Sequence, residues 1–167
     1  LTDAYTYDAY GLLATYVASY DGTPLYQESV VRDADGRITQ KTEVIGSTSH
    51  VWGYTYDVNG RLTDVTEDGN FASHYAYDAD DNRTTYTNTR GTVNPTYDAQ
   101  DRLLTSGSTT YQYTAAVELT TKTSGSGMTQ YNYDAFGNLL AVSLPGGEDV
   151  TYIADGENRR VGKQIRV

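Results

Sequence analysis

Polar and apolar residues alternate in short segments along this chain, and turn-forming residues interrupt the segments throughout its length. Tyr54–Tyr56 and Tyr131–Tyr133 each carry a tyrosine at every second position, and Leu62–Thr66 and Thr84–Thr87 are rich in threonine, valine and tyrosine. A period of two is that of a β-strand, so the two rings of a pair should leave the same face. β-Branched and aromatic residues favour strands. The pattern predicts strands, and no stretch has a convincing helical period.

A turn signature, Asp-x-x-Gly, follows the paired tyrosines. In the copy at Asp57 it ends at Gly60, and Arg61 and Leu62 then begin the next strand. The aspartate side chain can accept hydrogen bonds from backbone amides two residues on. Glycine at the fourth position can adopt a positive φ, as in a type I turn that closes into a bulge. Each copy is therefore predicted to be a β-hairpin.

Eight copies recur at intervals of about 21 residues. Seven copies are anchored on an aspartate, and the sixth copy in the series has Thr114 instead. The copy at Asp33 lacks the preceding tyrosines, and the copy at Asp78 has an acid in the glycine position. The motif residues are Tyr5, Tyr7, Asp8, Gly11, Asp33, Gly36, Tyr54, Tyr56, Asp57, Gly60, Tyr75, Tyr77, Asp78, Tyr97, Asp98, Tyr111, Tyr113, Tyr131, Tyr133, Asp134, Gly137, Tyr152 and Asp155. We predict an all-β fold in which antiparallel hairpins form a curved strip or spiral sheet, with residues 1–167 as a single repeat region.

Composition changes the picture of the core. Apolar residues make up 38% of the chain, and 17 tyrosines stand against 2 phenylalanines and 1 tryptophan. Tyrosine has an apolar ring and a polar hydroxyl, which suits a surface sheet better than a thick dry core. One face of the sheet should therefore meet water, a lumen or a partner.

The net charge of −10 excludes binding to a nucleic-acid backbone, which needs a basic surface. More than half of the 22 acidic residues lie in the turns, so turn chemistry accounts for most of the acidity. Asp33 and Asp78 begin fragments that resemble calcium loops, but Val44 and Thr89 stand where a calcium-binding EF-hand needs glutamate. No cofactor is expected, and a looser calcium contact at the acidic turns remains open.

No catalytic constellation is apparent in the sequence. His50 and His74 have no second histidine nearby and there is no cysteine, so a zinc site is poorly supported. The adjacent acids Glu67 and Asp68 are interpreted as solubilising loop residues, and Ser124–Gly127 as a flexible loop. No apolar run is long enough to span a bilayer, so membrane insertion is not expected. We predict that the chain is not an enzyme.

The repeated phrase resembles the YD repeat of the Rhs family, which includes bacterial Rhs and wall-associated polymorphic toxins, the B and C components of Tc toxins, and the shell of teneurins. The resemblance extends from Tyr5 to about Val161. It implies a strip of hairpins that spirals into a hollow shell, which in the toxins encloses a toxin domain. It implies a secreted or cell-surface protein, bacterial in origin, whose partners are neighbouring repeats, copies of itself, an enclosed toxin domain or a surface glycan.

The chain departs from the full family pattern because it has no Asp-Pro segment of the kind at which Rhs cores cleave themselves; its prolines are Pro24, Pro95 and Pro145. Since the chain begins at Leu1 with the repeat already under way at Tyr5, we expect a segment of a longer protein. Eight hairpins side by side measure about 75 Å, too little to close around a folded protein. The expected function is a structural shell segment; the alternative is an extracellular filament or adhesin with tyrosine rows that bind glycan.

Overall fold

The computed structural model describes residues 1–166, and none of them is helical. Seventeen strands follow one another along the chain. The first nine are β1 (Thr2–Tyr7), β2 (Leu13–Tyr20), β3 (Thr23–Arg32), β4 (Ile38–Ile45), β5 (Thr48–Tyr56), β6 (Leu62–Glu67), β7 (Asn70–Tyr77), β8 (Arg83–Asn88) and β9 (Gly91–Val93). The other eight are β10 (Thr96–Tyr97), β11 (Leu103–Ser106), β12 (Thr109–Tyr113), β13 (Leu119–Ser124), β14 (Gly127–Tyr133), β15 (Leu139–Ser143), β16 (Asp149–Ala154) and β17 (Arg160–Arg166).

The strands form two open antiparallel sheets in which each strand lies beside its neighbours in sequence. One sheet has the order β1 to β9 and the other the order β10 to β17. The predicted all-β fold of serial hairpins is therefore confirmed. The residues cluster in two compact units, one of Leu1–Tyr77 with Thr85–Thr92 and one of Asp78–Thr84 with the chain from Val93 onward. A single repeat region over 1–167 stays a prediction.

Strand register gives each sheet two chemically different faces. In the first unit Tyr16 lies opposite Tyr5 and Glu28, whereas its neighbour Thr15 lies opposite Thr6 and Ser29. The same division recurs in the second unit, where Tyr131 pairs with Val142, and Gln130 pairs with Thr121 and Ser143. Because side chains alternate along a strand, one face of each sheet carries the tyrosines and the other carries threonine, serine and glutamine.

Little of the chain is buried. Among the described residues only four are buried: Val65 and Val142, each about 8% exposed, Pro95 and Ser73. Both valines lie on tyrosine faces, opposite Tyr54 and Tyr131. The composition predicted this absence of a thick dry core. Within residues 1–166 the structure has no helix long and apolar enough to cross a bilayer.

Short connections at the other ends of the strands complete the hairpins. Asp68 and Gly69 form a two-residue turn with φ of 50° and 79°, and Glu67 pairs with Asn70 across it. Positive φ at both central positions is the geometry that matches strand twist, and Asp-Gly adopts it readily. At Ser124–Gly127, where the sequence predicts a flexible loop, the connection is a tight turn across which Ser124 pairs with Gly127, and its flexibility stays a prediction.

Candidate functional site

The turn at Asp57 shows how a motif copy is built. The Asp57 amide donates to the Arg61 carbonyl (2.9 Å), and the Gly60 amide donates to the Asp57 carbonyl (3.0 Å). The strand register shifts between Thr55 and Tyr56, and Gly60 has φ of 81°. This is the predicted type I turn closed by a bulge. This turn places the Asp57 side chain beside the backbone amides of the residues that follow it.

Both carboxylate oxygens of Asp57 hold the turn together. Its Oδ1 accepts from the amides of Asn59 and Arg61, each at 2.9 Å, and its Oδ2 accepts from Arg61 Nε at 2.7 Å. The backbone hydrogen bond from Arg61, and then its guanidinium, lower the pKa of the Asp57 carboxyl. A carboxylate that accepts several N–H bonds is stabilised in its charged form.

The same arrangement recurs in the other copies. Seven aspartates accept from the amides two and four residues on: Asp8, Asp33, Asp57, Asp78, Asp98, Asp134 and Asp155. Thr114 makes both bonds with its hydroxyl oxygen, at 3.2 and 3.1 Å. Calcium at these turns stays a prediction, and it would have to compete with the backbone amides for the Oδ1 atoms.

One turn of this geometry has no motif signature. The Leu144 amide donates to the Glu148 carbonyl (2.8 Å), and the Gly147 amide donates to the Leu144 carbonyl (3.0 Å). Leucine has no side-chain acceptor, so nothing in the anchor position marks this turn. The only sequence signal is the run Pro145-Gly146-Gly147, which is typical of turns.

The second tyrosine of a copy binds to the preceding copy. The Tyr56 hydroxyl donates to the Ile38 carbonyl at 2.6 Å, five residues after the anchor Asp33. The guanidinium of Arg37, which Asp33 holds, lies 5.1 Å from the centre of the Tyr56 ring. A cation over an aromatic face is attracted to it. An Asp–Arg–Tyr link therefore joins two consecutive copies.

This link is repeated along the chain. In three further copies, the carbonyl five residues after the anchor accepts from the second tyrosine of the next copy. The Tyr77 hydroxyl donates to Leu62, that of Tyr97 to Arg83, and that of Tyr113 to Leu103. Arg61 lies 4.9 Å from the Tyr77 ring, and Arg102 lies 5.2 Å from the Tyr113 ring. Equivalent hydrogen bonds and cation–π contacts therefore join consecutive copies, in addition to the turn that each copy contains.

The copy at Asp33 lacks tyrosines but keeps the link. Arg32 occupies the position of the second tyrosine, and its Nη1 donates to the Leu13 carbonyl at 2.7 Å. Leu13 stands five residues after Asp8, which is the position that accepts from tyrosine elsewhere. Arginine thus replaces the tyrosine hydroxyl as the donor, and the sequence motif alone gave no sign of this substitution.

The first tyrosines line the tyrosine faces. Tyr5 stacks on Tyr16 with centroids 5.0 Å apart, and Tyr75 stacks on Tyr86 at 5.3 Å. In the second unit Tyr111 lies opposite Lys122 on β13, and the predicted motif residue Tyr152 lies under the guanidinium of Arg160, 3.9 Å from the ring centre. These rings contribute packing on the face.

A polar cluster lies on the tyrosine face of the first unit. Glu43 accepts from Lys41 Nζ (2.9 Å), the Tyr26 hydroxyl (3.1 Å) and Trp52 Nε1 (3.2 Å). Tyr26 also donates to Glu28 at 2.7 Å, and this bond contributes most to raising its pKa. The hydrogen bond from Lys41 is the main cause that lowers the pKa of Glu43. Every group has a partner, so the cluster is a satisfied structural network.

Both histidines contact carboxylates, which sequence reasoning missed. His74 Nδ1 lies 2.7 Å from Asp64 Oδ1. His50 Nδ1 lies 3.3 Å from both Glu67 Oε1 and Asp68 Oδ2. The motif turn at Asp57 was the available signal, because it joins β5 to β6 and fixes the register that brings the end of β6 beside β5.

Comparison with known proteins identifies the repeat family. The family model described as Teneurin YD-shell matches residues 2–167. The chain belongs to the Teneurin YD-shell family. The expected resemblance to the Rhs/YD-repeat family is thereby confirmed. No curated protein matches the sequence of this YD-shell chain.

Two crystal structures of Tc toxin proteins, the first two below, share this fold. The crystal structure of TcdB2-TccC3-Cdc42 is 14% identical, with a TM-score of 0.53, and covers 98% of the YD-shell chain and 9% of its own. That of TcdB2-TccC3-TEV is 13% identical, with a TM-score of 0.53 and coverages of 98% and 11%. A Tc holotoxin pore of Photorhabdus luminescens is 15% identical, with a TM-score of 0.42 and coverages of 96% and 13%. The chain thus spans about a tenth of the length of the first two.

Proposed function

We propose that this YD-shell chain is a non-catalytic wall segment of a large exported protein, either a toxin carrier or a cell-surface protein. The observation that carries the proposal is the repeated Asp–Arg–Tyr link, in which Asp33, Arg37 and Tyr56 join one hairpin to the next. Bonds that pass from copy to copy stabilise a continuous wall, since each repeat contacts only its neighbours.

The chemistry of the copies supports a structural role. Catalysis needs an acid, base or nucleophile that differs from its neighbours in environment and faces a substrate. Here the Asp57 carboxylate is engaged by the Asn59 and Arg61 amides and by the Arg61 side chain. Its counterparts at the other six aspartate turns accept from the corresponding two amides, and those at Asp33, Asp98 and Asp155 also accept from an arginine side chain. The motif residues serve the wall in every copy.

Further shell or toxin components are the partners we propose. The solved relatives are complexes of TcdB2 with TccC3, and the chain matches about a tenth of their length. A wall segment of that size would continue into neighbouring repeats, and the finished shell would enclose a toxin domain or support a surface assembly outside the cell. A bacterial source fits the Tc relatives and belongs to the same proposal.

Electron microscopy tests this proposal on the longest natural polypeptide that contains the chain. We expect a hollow particle whose wall is a continuous β-sheet, with this segment forming adjacent hairpins of that wall. Limited proteolysis of the same sample should leave an enclosed domain protected until the shell is opened by denaturant. A solid particle without a β-wall would contradict the proposal. Complete digestion of every other domain in the intact particle would exclude the toxin carrier and leave the cell-surface protein.

A further inference from the structure

Three metal-ligating side chains converge at one end of β5 and β6. His50 lies near the start of β5, Glu67 ends β6, and Asp68 opens the turn to β7. One ligand atom from each residue lies within 4.8 Å of the others, and His50 Nδ1 is 3.3 Å from each carboxylate oxygen. The side chains are between 41% and 46% exposed, so a cation in solvent can reach them.

The distances match a shared metal ion. Zinc binds histidine nitrogen at about 2.0–2.1 Å and carboxylate oxygen at about 2.0–2.2 Å. Two ligands at a tetrahedral angle on one ion are therefore roughly 3.4 Å apart. The two nitrogen–oxygen separations of 3.3 Å agree with this value. All three ligand atoms lie within 4.8 Å of one another, so modest side-chain movement would let one ion contact all three.

The backbone holds Asp68 in place for this role. Asp68 Oδ1 accepts from the Val51 amide at 2.7 Å, and the Asp68 amide donates to the Val51 carbonyl at 2.7 Å. The carboxylate is thus fixed to β5 by one oxygen and presents the other, Oδ2, to His50. A ligand oriented by a second hydrogen bond loses less entropy when a metal binds.

The other histidine provides an internal contrast. His74 Nδ1 and Asp64 Oδ1 are 2.7 Å apart, the length of a direct hydrogen bond, and Asp64 also accepts from Thr55. No third histidine or acid joins this pair in the metal-ligating groups of residues 1–166. The two sites share residue types, but only the His50 site has three donors.

We propose that His50, Glu67 and Asp68 bind one zinc-class divalent cation. Imidazole nitrogen with two carboxylates suits zinc or a neighbouring transition ion, whereas calcium takes six to eight oxygen ligands. Three protein ligands leave a coordination position for water. The ion would tie the start of β5 to the turn after β6, and it would stabilise this hairpin edge independently of the proposed wall function.

Calorimetric titration of the full 167-residue chain with zinc chloride tests the site. We expect one ion per chain, and we expect His50→Ala to weaken binding at least about tenfold, since even outer partners of a metal ligand contribute 10–100-fold. His74→Ala is the matched control and should bind zinc as the original chain does. Glu67→Gln and Asp68→Asn keep the side-chain shapes, and each should also weaken binding at least about tenfold.

Circular dichroism of every variant separates lost binding from lost folding. If His50→Ala unfolds, the zinc affinities of Glu67→Gln and Asp68→Asn test the site instead. An absence of zinc binding in the original chain would overturn the proposal and leave His50 with its side-chain contacts to the two acids. Equal zinc affinity in Glu67→Gln and the original chain would also overturn it. So would calcium binding of the same affinity at the same residues. None of these outcomes depends on whether the parent protein forms a shell.

Discussion

Two turns of the chain have the same backbone but different residues. At Asp57–Arg61 the amide of the first residue donates to the carbonyl of the fifth at 2.9 Å, and at Thr114–Glu118 it does so at 2.8 Å. The fourth position has φ of 81° in Gly60 and 75° in Val117. The strand register shifts at both turns, directly before Tyr56 and Tyr113. The second turn keeps the geometry without aspartate, glycine or arginine.

The comparison separates what forms the turn from what stabilises it. A β-branched residue at positive φ is strained, so Val117 adopts a conformation that its own preference opposes. Glu118 replaces the arginine, and the Thr114 hydroxyl donates to Glu118 Oε2 at 2.6 Å. Pairing of the flanking strands therefore imposes the turn. In the other copies the anchor aspartate, and a glycine, aspartate or asparagine at the positive-φ position, lower the cost of the turn. Tyr113 keeps its bond to the Leu103 carbonyl, so the link between copies survives.

Replacing the favourable glycine should have the largest effect. Gly60→Val would put a β-branched residue at φ of 81°, and a Cβ there would lie 3.5 Å from Arg37 Nη1. We expect a loss of about 2–3 kcal/mol in the free energy of unfolding, measured by urea denaturation. Gly60→Asn is the control, because asparagine tolerates positive φ and should cost less. Equal losses for the two variants would contradict the role of φ.

The reverse change should relieve the strained turn. Val117→Gly removes the β-branched side chain, 54% of which is exposed, at φ of 75°. We expect a gain of about 1 kcal/mol, because glycine's greater freedom in the unfolded chain offsets part of the relieved strain. The same urea titration measures it. A loss of stability would show that contacts of the valine outweigh its backbone strain.

These turns also show how far the sequence could predict the structure. Aspartate at a regular spacing identified seven anchors, four of them with glycine at the fourth position, because each residue has a local backbone preference that needs no tertiary context. Thr114 could be placed only by its position in the series, and the turn at Leu144 was missed since its anchor has no polar side chain. Local chemistry predicts where the chain turns, but strand pairing can impose the same turn elsewhere.

Contacts between strands were less predictable than the turns. The Arg37–Tyr56 contact depends on strand register across two hairpins, and register follows from both turn lengths together. His50 and Asp68 are 18 positions apart and meet only because β5 and β6 pair as they do. Arg32 acts in place of tyrosine through a shared acceptor, which a motif of residue identities does not encode.

The link between copies should contribute less than the turn glycine. Tyr56→Phe removes the hydroxyl that donates to the Ile38 carbonyl at 2.6 Å but keeps the ring beneath Arg37. We expect a loss of about 1 kcal/mol in the free energy of unfolding, the usual contribution of one hydrogen bond. Tyr54→Phe is the matched control, since the Tyr54 hydroxyl has no hydrogen bond to another residue among 1–166 and should lose less. Equal effects would show that the hydroxyl bond does not join the copies.

The smallest expected effect is a difference in acid sensitivity between the two turns. Bonds from the Arg61 backbone and side chain lower the pKa of Asp57. A folded pKa below the unfolded value of about 3.9 adds stability that is complete above that value and is lost as the pH falls through the folded pKa. Asp57→Asn removes this contribution while its side-chain oxygen can still accept from the two amides.

The stability gap between the original chain and Asp57→Asn should therefore be larger at about pH 6 than at about pH 3. Thr114→Asp, by contrast, would replace the hydroxyl that donates to Glu118 Oε2 with a second carboxylate, so we expect a loss relative to the original chain at the higher pH that shrinks in acid. Urea midpoints at the two pH values measure both gaps, and the difference cancels the contributions of the unchanged carboxyls. A gap for Asp57→Asn that is the same at both pH values would mean that the charge of Asp57 adds nothing to the turn, and that its oxygen acts only as a neutral acceptor, as the Thr114 hydroxyl does.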